Sequence, residues 1–201
     1  MFTGIISEVG VVTGFDLRSE LHRISVKAPN TVLDASVGDS VAVNGVCLTV
    51  THLVDGGFRC EAVDETMDRT ALGELATGSR VNLERPMAAS GRFDGHVVQG
   101  HVDGVGIVET VAAEHDARRL RLRIPDQLAR YIVEKGSVAL DGVSLTLTAV
   151  SPSGESAWLE VVLIPHTLEN TTLGQRTVGD RINVEVDVFA KYIERMTEMS
   201  S

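Results

Sequence analysis

The 201 residues carry 18 Lys and Arg against 28 Asp and Glu, a formal charge of −10, and 43% are hydrophobic. That balance suits a globular protein with one large domain or two small ones. It lacks the basic footprint of a generic nucleic-acid binder or of a protein held on an anionic membrane. Two cysteines, Cys47 and Cys60, make no disulfide framework, so a reducing cytoplasm is the expected setting.

The chain opens MFTGIISEVG, without a basic n-region, and no later segment has the length of a membrane span. Six short runs follow in the first half: VGVVTGF (9–15), HRISVKA (22–28), DSVAVNG (39–45), VCLTVTHL (46–53), GFRCEAV (57–63) and SRVNLER (79–85). They are rich in β-branched residues and separated by Gly, Asp and Asn, which predicts six strands. The second half writes them again as VGIVETV (105–111), RRLRLRI (118–124), GSVALDG (136–142), VSLTLTAV (143–150), SAWLEVV (156–162) and DRINVEV (180–186). Helical turns are expected at Pro29–Ala35 and Pro125–Val133, and at Met67–Leu72 and Leu168–Leu173 before the last strand of each half. Val188, Phe189, Tyr192, Ile193, Met196 and Met199 recur at helical steps, so the tail predicts an amphipathic helix, free either to cap a barrel or to pair with its own copies.

The halves are copies of one unit. At an offset of 96, Gly4, Val9 and Gly10 fall on Gly100, Val105 and Gly106; at 97, NGVCLTV (44–50) falls on DGVSLTL (141–147). At 101, eight of the nineteen residues 66–84 are identical to their counterparts. Six strands per unit favour closure, since a closed sheet has no exposed edge. The expected class is therefore all-β: two tandem six-stranded Greek-key-like barrels related by duplication, plus a C-terminal helix. The expected divisions are 1–96, 97–187 and 188–201, with AASGRFDGH (88–96) as the joint.

The conspicuous difference between the copies is Cys47 against Ser144. Alternation puts Cys47 and Thr49 on one strand face, and Ser144 and Thr146 on the matching face. Packing alone accounts for a lone small thiol or a hydroxyl bonded to backbone, but equivalence of the two positions points to chemistry. His96 and His101 flank the joint in GHVVQGHVDG; their odd spacing sends them to opposite faces of a strand and disfavours a metal. His101 stands where the first half has Ile5, so the two units are alike without being chemically equal, and an imidazole is the economical proton carrier. Asp64-Glu65-Thr66 and Pro165-His166-Thr167 end the fifth strand of each half, where capping or a solvated turn also explains them. No GxGxxG, GxxxxGK[ST], GxSxG or CxxC motif occurs.

Together MFTGII, NGVCLTV, the GHVVQGHVDG joint, KGSVALDGVSLTL, LIPHT with TTLG, and GDRINVEVD followed by AKYIER closely resemble the riboflavin synthase family, from Met1 to about Arg195. Phe93-Asp94 before Gly95 and Pro86 after Arg85 depart from the family pattern only in the linker and at a strand end. The resemblance implies a homotrimeric cytoplasmic transferase of riboflavin biosynthesis, without cofactor or metal, nucleic-acid partner or membrane partner. Its substrate is 6,7-dimethyl-8-ribityllumazine, taken two at a time. One molecule gives a four-carbon unit to the other, yielding riboflavin and 5-amino-6-(D-ribitylamino)uracil. In such trimers the sites lie between subunits.

The resemblance also implies residue roles. Phe2, Cys47, His101, Ser144 and Asp187 are the activity-linked positions. A first pocket takes Gly4, Ile5, Ile6, Cys47, Leu48 and Thr49 with Glu61, Ala62, Val63, Asp64, Glu65 and Thr66. A second takes Gly100, His101, Val102, Lys135, Ser144, Leu145 and Thr146 with Val162, Leu163, Ile164, Pro165, His166 and Thr167. His101 and Ser144 are expected on the proton-transfer side, and Cys47 in a polar or nucleophilic role. The alternative on the same fold is a non-catalytic lumazine- or flavin-binding protein.

Overall fold

The computed structural model describes residues 1–16 and 21–199. Strands β1 (Glu8–Asp16), β2 (Leu21–Lys27), β3 (Ser40–Val43), β4 (Val46–Val54), β5 (Gly57–Val63) and β6 (Arg80–Glu84) form a closed antiparallel barrel in the order β1-β2-β5-β4-β3-β6. Strands β7 (Gly104–Glu114), β8 (Ala117–Arg123), β9 (Ser137–Leu140), β10 (Val143–Val150), β11 (Trp158–Leu163) and β12 (Arg181–Val186) close a second barrel of the same connectivity.

Alternation decides what goes inside. On β4, Val46, Leu48 and Val50 are buried while Cys47 and Thr49 turn outward. The interior of the first barrel is filled by Ile24, Val26, Phe58, Leu72, Val81 and Leu83, and that of the second by Leu120, Leu122, Leu140, Leu159, Leu163 and Leu173. Register shifts at Val12/Gly14 and Val50/His52, matched at Val108/Thr110 and Leu147/Ala149, add the local twist that lets so few strands close.

The repeated NG and DG dipeptides are two-residue hairpin turns: Asn44 and Gly45 have φ of 45° and 75°, and Asp141 and Gly142 have 45° and 79°. These two turns meet, and a Cβ on Gly45 would lie 2.6 Å from Gly142 N, so neither glycine can carry a side chain. Buried amides cross the same seam. Asn82 donates to Asp141 O at 3.0 Å and accepts from Thr172 N at 2.7 Å; Asn183 donates to Asn44 O at 2.8 Å and accepts from Ala71 N at 2.6 Å. The barrels are thus joined by satisfied polar groups around a local two-fold relation.

The short helices differ from expectation. Helix α1 (Asp64–Arg69) starts directly off β5, before Met67, and α2 (Pro165–Asn170) starts before Leu168. Thr70 and Thr171 break the helices in extended conformation, and each hydroxyl accepts from the N–H two residues on to begin a 3₁₀ turn, Ala71–Glu74 or Thr172–Gln175. Residues 29–34 form turns without a helix, whereas the matching segment holds a 3₁₀ helix at Asp126–Tyr131. Helix α3 (Val188–Met199) is present as its spacing predicts, with Phe189, Tyr192, Ile193, Met196 and Met199 exposed. Lys191 pairs with Asp103 at 2.5 Å and Arg130 with Glu194 at 2.6 Å, anchoring its other side to the second barrel. Ser200 and Ser201 of the expected tail lie outside the described residues. Among those described, no helix is long and apolar enough to cross a membrane.

Candidate active sites

Two extended segments run between the barrels: an N-terminal strap around Phe2–Ile5 and a linker strap around Val98–His101. They pair with each other, Phe2 N–H donating to Val98 O at 2.7 Å and Val98 N–H returning to Phe2 O at 3.1 Å. Each then lies on the barrel of the other half. Ser144 N–H donates to Gly4 O at 2.8 Å, and Cys47 N–H donates to Gly100 O at 2.9 Å. The approach is too close for any side chain: a Cβ on Gly4 or on Gly100 would stand 2.6 Å from the Cβ of Ser144 or Cys47. Both glycines also hold positive φ, 78° and 80°.

The straps correct the expected grouping. Gly4, Ile5 and Ile6 belong with Ser144, and Gly100, His101 and Val102 belong with Cys47. Reading each half as a self-contained unit misassigns them, because the crossing depends on the long-range Phe2–Val98 pairing.

On the first barrel the β4–β5 ladder begins only at Val50↔Cys60, so the strands fork open beyond it. Cys47 and Thr49 face this fork with their main-chain N–H and C=O on the same side, as alternate residues of an antiparallel strand do. A cleft of about 280 Å³ follows, lined by Val46, Cys47, Val63, Glu65, Thr66, Arg69, Thr70, Gly100, His101 and Val102. Val63 is exposed at its edge, Asp64 is drawn off to His22 at 2.6 Å, and Glu65 pairs with Arg69 at 2.9 Å.

The second barrel repeats the fork. The β10–β11 ladder begins at Leu147↔Val161, leaving Ser144 and Thr146 on the open side. Here the chemistry differs. Ser144 Oγ lies 2.7 Å from His96 Nδ1. Burial pulls the His96 pKa below its ordinary 6.5, against the pull of Asp187, so the ring is neutral at neutral pH. Its Nε2 is buried with no hydrogen-bond partner among the described residues. His166 and Asn170 bond each other at 2.9 Å, where the first barrel has the charged Glu65–Arg69 pair. Ile164 is exposed beside them and Pro165 opens α2.

Several expected residues have their side chains turned away. Leu48, Ala62 and Leu163 are buried in the barrel interiors, so they offer only main chain to a ligand; Leu145 and Val162 are half-buried. Glu61 is held by Arg23 at 3.0 Å. Lys135 is exposed in a left-handed turn (φ 67°) before β9. Asp187 accepts from Phe189 N–H at 3.0 Å, capping α3, while also facing His96. Phe2, at 0% exposure, packs with Val98, Ala42 and Ala139 between the barrels and pairs the two straps through Val98. In the sequence His96 reads only as a poor metal candidate, and its place at the joint, after Gly95, is the signal that points to Ser144. Cys60 is a packing thiol, pushed up to about 12 by burial.

Comparison with known proteins settles the family. Models of the lumazine binding domain match residues 3–86 and 99–187, one per barrel. The chain is 50% identical over 198 residues to the riboflavin synthase of Mycobacterium bovis, covering 98% of both chains, and 39% identical over 195 residues to that of Bacillus subtilis, covering 97% of this chain and 89% of that one. The chain belongs to the riboflavin synthase family. It is accordingly an enzyme, built from two lumazine-binding domains. The fold also matches the crystal structure of LumP complexed with riboflavin, at a TM-score of 0.83 and 25% identity over 92% of this chain and 99% of that one.

Proposed function

We propose that the chain makes riboflavin by dismutation of two 6,7-dimethyl-8-ribityllumazine molecules, the second product being 5-amino-6-(D-ribitylamino)uracil. Four carbons pass from donor to acceptor. The products together contain all the atoms of the two substrates, so the step needs no oxidant, reductant or cofactor. The observation that carries this reading is the pair of equivalent outward forks bearing different chemistry, Cys47 with His101 on one and Ser144 with His96 on the other. A reaction between two copies of one molecule needs two similar pockets, and its unequal roles need them to differ.

The open strand edge at each fork suits a pyrimidinedione, whose C=O, N–H, C=O edge complements main-chain N–H and C=O. Ser144 and His96 are assigned to proton transfer at the acidic C7 methyl: with its proton on Nε2, neutral His96 accepts from the Ser144 hydroxyl at Nδ1. This reading keeps Ser144 on the proton-transfer side, as expected, and gives it His96 as its partner in place of His101. Cys47 supplies a polarizable, nucleophilic group to the other pocket, with His101 beside it. Orientation of two substrates supplies a large share of the rate, since effective molarities of well-oriented pairs reach ~10⁵ M or more.

Both forks open outward, so two substrates meet when the first barrel of one chain faces the second barrel of another. The exposed apolar side of α3 is assigned to a homotrimer that brings them together. The same reading divides the chain at 1–96, 97–187 and 188–201, and places it in the cytoplasm, where Cys47 and Cys60 stay reduced. Incubation with the lumazine, followed by riboflavin absorbance, tests the proposal. Binding without riboflavin formation would instead indicate a lumazine or flavin carrier.

A further inference from the structure

Two buried carboxylates are unused by the chemistry above. Glu84, 5% exposed at the end of β6, accepts from Thr3 N–H at 2.6 Å, Thr3 Oγ1–H at 2.8 Å and Gly4 N–H at 2.9 Å. Glu185, 3% exposed at the matching end of β12, accepts from the N–H groups of Gln99 at 2.6 Å, Gly100 at 2.9 Å and His101 at 2.9 Å. The donors in both cases come from a strap. Burying a carboxylate is costly, and three convergent donors are what make it tolerable. Two such groups at equivalent places, each spent on holding a strap, are hard to account for by barrel stability, since among the described residues neither carboxylate bonds across its own barrel.

We propose that Glu84 and Glu185 are positioning residues that act crosswise, each holding in place the strap that completes the site on the opposite barrel. The geometry gives the direction. Glu84 belongs to the first barrel and grips Thr3 and Gly4, but Gly4 O receives Ser144 N–H of the second. Glu185 belongs to the second barrel and grips Gln99 through His101, but Gly100 O receives Cys47 N–H of the first. Damage to a carboxylate therefore appears at the site of the barrel that does not contain it. The donor sets also differ: Glu84 uses the Thr3 hydroxyl where Glu185 uses a third main-chain N–H. Glutamine keeps the volume of glutamate but replaces an acceptor oxygen with an NH₂ that faces N–H donors, so it releases the strap without opening a cavity.

Thiol alkylation reads this in the full-length chain without reference to activity. Cys47 is half-buried under the Gly100 strap, whereas Cys60 is buried and reports unfolding. With iodoacetamide and peptide mass analysis, Glu185→Gln is expected to speed Cys47 alkylation about fivefold or more while Cys60 stays unreactive. Glu84→Gln, although it lies in the same barrel as Cys47, is expected to leave that rate at the parent value. Equal acceleration by Glu84→Gln, or no acceleration by Glu185→Gln, would overturn the proposal. If Glu185→Gln unfolds, as Cys60 would show, Glu185→Asp withdraws the carboxylate by one methylene and the same comparison applies. Unfolding of that variant too would make Glu185 a framework residue and refute the crosswise role. Riboflavin formation should fall about tenfold in both glutamine variants; this arm alone rests on the function proposed above. Crossed thiol protection in a chain that makes no riboflavin would sink the function and keep the clasp.

Discussion

The Ser144 hydroxyl of the second barrel and the His96 imidazole of the linker stand 2.7 Å apart, and among the described residues the first barrel has no such pair. The nearest counterpart, Cys47, meets the strap that carries His101 instead. The two sites share a frame and diverge in the group that can move a proton.

If that pair moves the proton, Ser144→Ala and His96→Gln should each lower turnover at least tenfold, about 1.4 kcal/mol of barrier, with much less effect on lumazine affinity. The pH profile separates them. Burial depresses the His96 pKa below 6.5, so the parent should keep its rate down through 6.5 and lose it at lower pH, as the ring protonates. His96→Gln should lack that acid limb. The same shift bears on stability: the native state resists protonation, so His96's contribution is complete above 6.5 and is lost as pH falls through its folded value. Thermal melts of the two proteins across this range check the sign.

Cys47→Ser swaps a polarizable thiol for a hydroxyl with little change of volume, and it imports the residue of the other copy. Stability should change by roughly 1 kcal/mol or less. Turnover should nevertheless fall at least tenfold. Parent-like steady-state rates for both Cys47→Ser and Ser144→Ala would reduce the difference between the copies to packing.

The duplication supplies its own control at the seam. Asp141 replaces Asn44 of the first half, and Arg176, paired with Asp141 at 2.6 Å, replaces Leu75. Asp141 is fully buried; burial pushes its carboxyl upward against Arg176 and the Asn183 N–H. Asp141→Asn alone should cost about 3 kcal/mol, because it leaves a largely buried guanidinium without its partner. Asp141→Asn with Arg176→Leu restores the first-half pattern and should recover most of that loss. Urea unfolding of the single and double variants measures the coupling, and strict additivity would refute it.

Truncation after Asp187 removes α3 and its exposed Phe189, Tyr192, Ile193, Met196 and Met199. It leaves every strand in place. If α3 holds the proposed trimer together, light scattering should show monomers with intact barrel spectra and little riboflavin formation. A truncated chain that remains trimeric and active would assign assembly to the barrels.

Much of this was legible in the sequence because it is written locally. Alternating β-branched runs gave the strands, NG and DG gave the hairpins, and the Cys47–Thr49 and Ser144–Thr146 faces followed from a period of two. The apolar spacing of Val188–Met199 gave the helix. The crossing of the straps is different in kind: it hangs on one bridge between Phe2 and Val98 and on two glycines fitted against foreign strands, and no periodicity marks such contacts. A reading of each half by itself therefore puts Gly4 with Cys47 and finds no reason to bring His96 to Ser144. Glu84 and Glu185 stood out only as one more identity between the copies, since a buried carboxylate reads like an exposed one until its donors are seen.

The crossed straps also set an order on synthesis. The N-terminal strap is made before the linker strap, yet Gly4 waits for Ser144, 140 residues later, while Cys47 waits only 53 residues for Gly100. The first barrel's strands are complete at Glu84, before either strap has its full set of partners. A nascent chain arrested in the linker is therefore a folded barrel with a bare thiol cleft and an N-terminal segment held by Glu84 but not yet by Val98 or Ser144, and the cleft gains its Gly100–His101 wall only once the joint has emerged. Long-range closure of this kind is slow compared with hairpin formation, so maturation of the sites should trail folding of the barrels by a measurable lag.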